Sequence, residues 1–305
     1  MKKHIITIAA LLVLAASATY AQMQASDGKQ SVIQAQAPLS ATDDNWHVAF
    51  TPYAWAPGVD LNVQMPVSAL GHQFNANVST NADWWKVLSH YGPGFRILAA
   101  DGRIEVSKGK WGAFVDGYWI YTKISGGQNG VKLGLDDRHD LAYAASFTNK
   151  TQFAQVNFGP RYLLGTIPLD KKADATVGFE LYGGGRVNWI SDTLDGSVTL
   201  NNILTGSFNK SASRLYAEPM IGLKTIWKFG PNFVGIIRGD VGGWNLVENN
   251  TDCDLEAGIA WQCHKNTYLD LAYRARGQWQ TDGSGNDLSV RGWLHGPEIG
   301  MTFGF

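Results

Sequence analysis

The sequence predicts an all-β fold. The expected architecture is a transmembrane antiparallel up-and-down β-barrel of twelve strands, with ten as the alternative count and one short helix near 81–92. Three observations carry this. Long segments alternate apolar and polar side chains with a period of two. Connections between them run alternately short and long. Aromatic residues gather towards the segment ends, as interfacial girdles require.

The alternation is plain in "ATVGFELYGGGRVNW". Ala175, Val177, Phe179, Leu181, Val187 and Trp189 oppose Thr176, Glu180, Tyr182, Arg186 and Asn188. "QFAQVNFGPRYLL", "TDCDLEAGIAWQC" and "NTYLDLAYRARGQW" repeat it. Soluble strands commonly span about five or six residues, whereas membrane-crossing strands need about nine to eleven, and these segments reach the longer class. Strands are expected to start near 46, 95, 111, 150, 174, 213, 233, 252, 267 and 294, and a hairpin over 58–66 and 71–79 raises ten to twelve. Short links lie at 108–110, 166–174, 230–232 and 264–267, and long loops at 124–147, 191–212, 245–252 and 281–293. "NADWWKVLSHYG" has the start and stop signals of a helix. Pro52, Pro160, Pro219 and Pro297 fall inside expected strands, where each forfeits a ladder hydrogen bond.

The chain opens with Lys2 and Lys3, a short apolar stretch from Ile5 to Ala16, and a small residue at Ala21. That pattern is a secretory signal peptide over 1–21. Residues 22–44, rich in Gln, Ala and Ser, read as a disordered periplasmic leader, and 45–305 as the barrel. The 12 Trp, 11 Tyr, 13 Phe and 35 Gly beside only 17% charged residues fit an exported membrane barrel. A net charge of −1 argues against nucleic acid as a partner. Cys253 and Cys263 sit ten residues apart on one expected strand. That is a span of ~33 Å, which precludes a disulfide, so two free thiols on the apolar face are expected.

Parity sends Asp101, Arg103, Glu105, Asp116, Arg161, Glu180, Arg186, Glu218 and Lys224 inward. It does the same for Arg238, Asp240, Asp254, Glu256, Asp270, Arg274, Arg276 and Glu298. Acids and bases are interspersed, so the interior should pair its charges; a one-signed ring would instead favour a selective pore. A structural barrel or a narrow porin-like channel follows, without cofactor or metal. The competing chemistry is a surface hydrolase, protease-like or lipid-modifying, built on Asp136, Asp137, His139 and Asp140 in "DDRHD". A charged loop tip is ordinarily just solvated, and His295 with Glu298 is a similarly thin pair. The glycine clusters keep the strand period and lack the turn, helix and Lys of a phosphate loop.

"WHVAFTPYAWAPGVDLNV", "KGKWGAFVDGYWIYTKI", "FGPRYLLG", "YGGGRVNW", "EPMIGLK", "RGDVGGWN", "LDLAYRARG" and "HGPEIGMTFGF" follow in that order. Together they resemble a poorly characterised family of Gram-negative outer-membrane β-barrel proteins, porin-like and ending on Phe. The likeness covers roughly 45–305. It implies the cell outer membrane, with outer-membrane lipid and lipopolysaccharide as surroundings. It also implies recognition by the barrel assembly machinery through Phe305, Phe303 and Met301. It brings no substrate and no catalytic residue.

Overall fold

Period-two alternation becomes twelve antiparallel strands. They are β1 (His47–Trp55), β2 (Gly58–Ala69), β3 (His72–Ala82), β4 (Phe95–Lys108), β5 (Trp111–Asn129) and β6 (Tyr143–Pro168). There follow β7 (Ala175–Leu200), β8 (Leu204–Phe229), β9 (Phe233–Gly242), β10 (Asn250–His264), β11 (Thr267–Gln280) and β12 (Ser289–Gly304). This computed structural model describes residues 45–69, 72–85, 95–129, 143–169, 175–200, 204–246, 250–280 and 289–305. All of them belong to the compact unit Ile33–Phe305.

β1 pairs with β4 on one side and β12 on the other, so β1 and β4 to β12 close a ring of ten strands. A closed ring leaves no strand edge to hydrogen-bond with lipid. The other two strands lie outside the ring. β12 pairs with β1 up to Glu298 opposite Trp55, then with β2 from His295 opposite Gly58. The exchange of partner falls at Gly296, where a Cβ would stand 2.1 Å from the Ala56 carbonyl oxygen. Only glycine allows that approach. β3 pairs with β2. The twelve expected strands are thus ten around the barrel and two added at its outer end.

Several expected boundaries are corrected. The segments 124–147 and 191–212, read as loops, are strand where they are described: β5 runs on to Asn129, β6 begins at Tyr143, β7 reaches Leu200 and β8 begins at Leu204. Their Ser, Thr and Asn residues imitate loop composition, yet they face one another in register and bond across strands, as Ser125 with Thr148 and Thr193 with Ser211 do. Among the described residues the short helix is not shown, and 86–92 lie outside them. The four prolines remain within strands. Beside Pro160 the β6–β7 register passes from Phe158 opposite Gly185 to Arg161 opposite Tyr182 without intervening partners. Here the glycine cluster is needed for proximity: a Cβ on Gly184 would stand 2.1 Å from the Phe158 carbonyl oxygen.

The outer wall carries an apolar band whose members include Val156, Leu181, Leu223, Ile237, Leu255, Ile259, Leu271 and Ile299, all exposed. On β12, Trp293 and Phe303 are ten residues apart. At ~3.3 Å rise and ~40° tilt that is ~25 Å, the height of the apolar band on outer-membrane barrels. Among the described residues no helix is long and apolar enough to cross a membrane. Both cysteines are free thiols.

The interior is layered. At the end with the short turns, Ile226, Val234, Ile236, Ala260 and Tyr268 form a small apolar cluster. At the opposite end Trp55, Val59, Leu61, Ile120, Phe153, Ile190, Leu194 and Leu294 belong to a larger one. Between them lies the polar layer. Parity arguments found the polar layer but not its two apolar covers, because isolated inward Ile or Leu residues look like lapses in the pattern.

Candidate functional site: the ion-paired interior

Each strand delivers its inward residues at alternate positions, so neighbouring strands set charges side by side. On β10 and β11, Asp254 stands opposite Arg276, and Glu256 opposite Arg274. The side chains then reach further than these cross-strand neighbours. Of the seventeen residues assigned inward by parity, all but Asp101 are buried, and the Asp101 side chain is itself 0% exposed.

Arg274 binds the Asp254 carboxylate of the next strand and reaches Asp101 on β4 at 2.9 Å and Glu298 at 3.7 Å. Arg238 of β9 donates to Asp116 of β5 at 2.8 Å, four strands away in a ring of ten. Lys224 of β8 meets Glu105 of β4 at 3.3 Å, and Arg103 of β4 lies 3.6 Å from Glu256 of β10, each again four strands apart. These contacts are almost diametric. Arg103 also donates to Asp116 at 2.9 Å. Arg161 holds Glu180 at 3.3 Å and Glu105 at 3.5 Å. Arg186 is paired with Asp240 and Asp252. Asp270 accepts from Thr302 at 2.7 Å, and Thr302 is bonded to Thr51 across the β1–β12 seam.

Among the described residues twelve carboxyl side chains, Asp101 included, and seven cationic ones are buried in the interior, so cations alone do not neutralise it. Neutral donors take up part of the surplus. Asn188 and Asn250 donate to Glu218, and Asn149 and Thr151 donate to Asp192. Tyr118 lies beneath two guanidinium groups, with Arg274 5.3 Å and Arg276 5.0 Å from its ring centre. Two cavities of about 20 Å³ each interrupt the layer, one lined by Glu105, Arg161, Glu180 and Lys224 among others, the other by Tyr53, Glu256, Asp270 and Glu298 among others. Each has room for about one water molecule.

The sequence reading did not single out Asp252 and Tyr118, whereas it placed Asn157, Asn188 and Tyr182 on the polar faces of their strands without assigning them to the charged interior. Asp252 shares the parity of Asp254 and Glu256 and was legible on that ground. The amides and phenols share the inward parity but carry a weaker signal than the charges, since uncharged polar residues also populate loops. The residues proposed for hydrolysis, Asp136, Asp137, His139 and Asp140, lie outside the described residues. His295 and Glu298 are on opposite faces of β12: Glu298 is buried in the network, while His295 is bonded to the Tyr273 hydroxyl at 2.7 Å on the outer face. Among the described residues no group of three or more His, Cys, Asp or Glu could hold a metal ion. Phe305 exchanges backbone hydrogen bonds with Val48, 2.9 and 3.2 Å, and Met301 and Phe303 stand on the outer face of β12.

A closed ring of antiparallel strands, apolar outside and polar within, defines the fold class of outer-membrane β-barrels. Comparison with solved structures agrees. The chain is similar to the outer membrane protease OmpT from Escherichia coli, with 11% identity, 87% of this chain and 98% of that chain covered, and a TM-score of 0.52. Weaker likenesses include Ail, the attachment invasion locus protein of Yersinia pestis, with 12% identity, 86% and 99% coverage and a TM-score of 0.25. A Pseudomonas aeruginosa FadL homologue is similar with 10% identity, 89% and 93% coverage and a TM-score of 0.24. No family model and no curated protein matches the chain. At such identities the likeness concerns fold alone: the chain has an outer-membrane β-barrel fold.

Proposed function

We propose that the protein is an exported, non-enzymatic barrel of the Gram-negative outer membrane, structural in role, whose interior is closed. The observation that carries this is the set of ion pairs between strands four apart, Arg238 with Asp116, Lys224 with Glu105 and Arg103 with Glu256. In a small barrel side chains suffice to fill the lumen. Here the charged groups are spent on one another, and apolar layers lie above and below them. A narrow porin-like channel would need those pairs to separate, leaving buried charges unpaired at several kcal/mol each, of order 3–5. Residues Phe305, Phe303 and Met301 are assigned to recognition during assembly, as the family resemblance implies.

Cell fractionation tests the placement. The protein is expected with outer membranes, migrating differently on gels before and after boiling. Recovery from the soluble periplasm in a form insensitive to boiling contradicts it.

A further inference from the structure

Beyond the apolar band, β5 to β8 continue outward as one four-stranded face, and its register sorts the exposed residues into rows. The last apolar row is Trp119, Ala154, Trp189 and Leu215. One step (two residues) outward come Tyr121, Gln152, Ser191 and Ser213. The next row is Lys123, Lys150, Thr193 and Ser211, and the next Ser125, Thr148, Asp195 and Asn209. Rows lie ~6.6 Å apart and strands ~4.8 Å apart. The switch from apolar to hydrogen-bonding residues is therefore complete within one row.

Two features of this face suit an external ligand. Lys123 and Lys150 are directly opposite each other on adjacent strands, an arrangement that costs stability unless an anion lies between them. Asp195 holds Lys150 at 3.0 Å, with both side chains partly exposed at 35–40%, while Lys123 has no ion pair among the described residues. The hydroxyls are pre-arranged in cross-strand pairs at 2.9 Å, Ser125 with Thr148 and Thr193 with Ser211. Each hydroxyl keeps further capacity to donate or accept. Stacked Trp119 and Tyr121, 6.4 Å apart, mark the boundary just below the lysines.

We propose that this face binds the phosphorylated saccharide headgroup of an outer-leaflet glycolipid. Lys123 and Lys150 meet its phosphate, the Ser and Thr rows meet its sugar hydroxyls, and its acyl chains run down beside Trp119 and Trp189. This rests on the outer-membrane reading, because only there do a phosphate layer and a sugar layer stack in that order over hydrocarbon. A lone phosphate would account for the lysines but not for the hydroxyl rows.

The test titrates the purified full-length protein in detergent with lipopolysaccharide, dephosphorylated lipopolysaccharide and inorganic phosphate. It compares wild type, the Lys123→Gln/Lys150→Gln double variant and Lys228→Gln at the opposite end of the barrel. Wild type should prefer phosphorylated over dephosphorylated lipopolysaccharide by about tenfold or more, the double variant should lose that preference, and Lys228→Gln should keep it. If the double variant does not reach the heat-modifiable form, Lys123→Gln alone serves, with a partial loss expected. The proposal is overturned if the lysine variant binds as wild type does, if Lys228→Gln loses as much, or if inorganic phosphate competes at equal concentration. Fractionation away from outer membranes overturns the location instead, and the titration is read independently of it.

Discussion

Arg274 shows how a single side chain holds this barrel. It is fully buried and touches carboxylates on β4, β10 and β12. Replacing it with Met keeps much of the volume and removes the charge, stranding Asp101 and Asp254. Arg274→Met is expected to lower unfolding stability by about 3–5 kcal/mol, read as the urea midpoint of loss of the heat-modifiable form. Lys108→Met, at an exposed position, should change it by less than about 0.5 kcal/mol. A shift at Arg274 no larger than that at Lys108 would contradict the network. Phe305 is a smaller case. Deleting it removes both backbone bonds to Val48 at the closing seam, so slower assembly in the outer membrane is expected, measured by pulse-labelling. Normal assembly would contradict the role given to that residue. The thiols offer a third measurement. Cys263 is exposed and Cys253 partly covered, so a maleimide should label Cys263 first, and a mass matching an intramolecular disulfide should not appear.

Elements were legible where parity was strict. β10 and β11 were the most legible, because Asp254 and Glu256 on one and Asp270, Arg274 and Arg276 on the other share one parity while Leu255, Ile259, Leu271 and Tyr273 hold the opposite one. β5 to β8 were read too short at their outer ends, because alternation there passes from apolar–polar to hydroxyl–polar and the contrast fades. The two hairpin strands were visible in "GVDLNVQMP" and "GHQFNANVS", but their place outside the ring was not. That place depends on β12 changing partner at Gly296, a backbone event with no hydropathy signature. The apolar cover above the charges was missed for a related reason: inward Ile120, Ile190 and Leu194 occupy positions that parity reserves for polar residues. Its contribution is testable. Ile190→Ala should cost about 2–5 kcal/mol, as for other fully buried aliphatic side chains, in the same urea measurement. Exposed Ile259 on the outer wall should cost far less in detergent. Equal effects at the two sites would remove the outer apolar layer from the account.

On the scale of the whole molecule, ten strands close around an interior in which charged residues lie between two apolar clusters. The fold class could be read from the sequence because length, period and aromatic placement all report on the outer wall. Whether the interior is open could not be read. Openness depends on which side chains meet across the lumen, and sequence parity states only which way each one points. The central claim is that opposite walls are joined by their own charges. It is tested most directly by recording current through purified full-length protein in planar bilayers, across voltages and salt concentrations. Bilayers that contain the folded barrel are expected to carry no steady current above background. A stable conductance that scales with salt and with the amount of folded protein would contradict it.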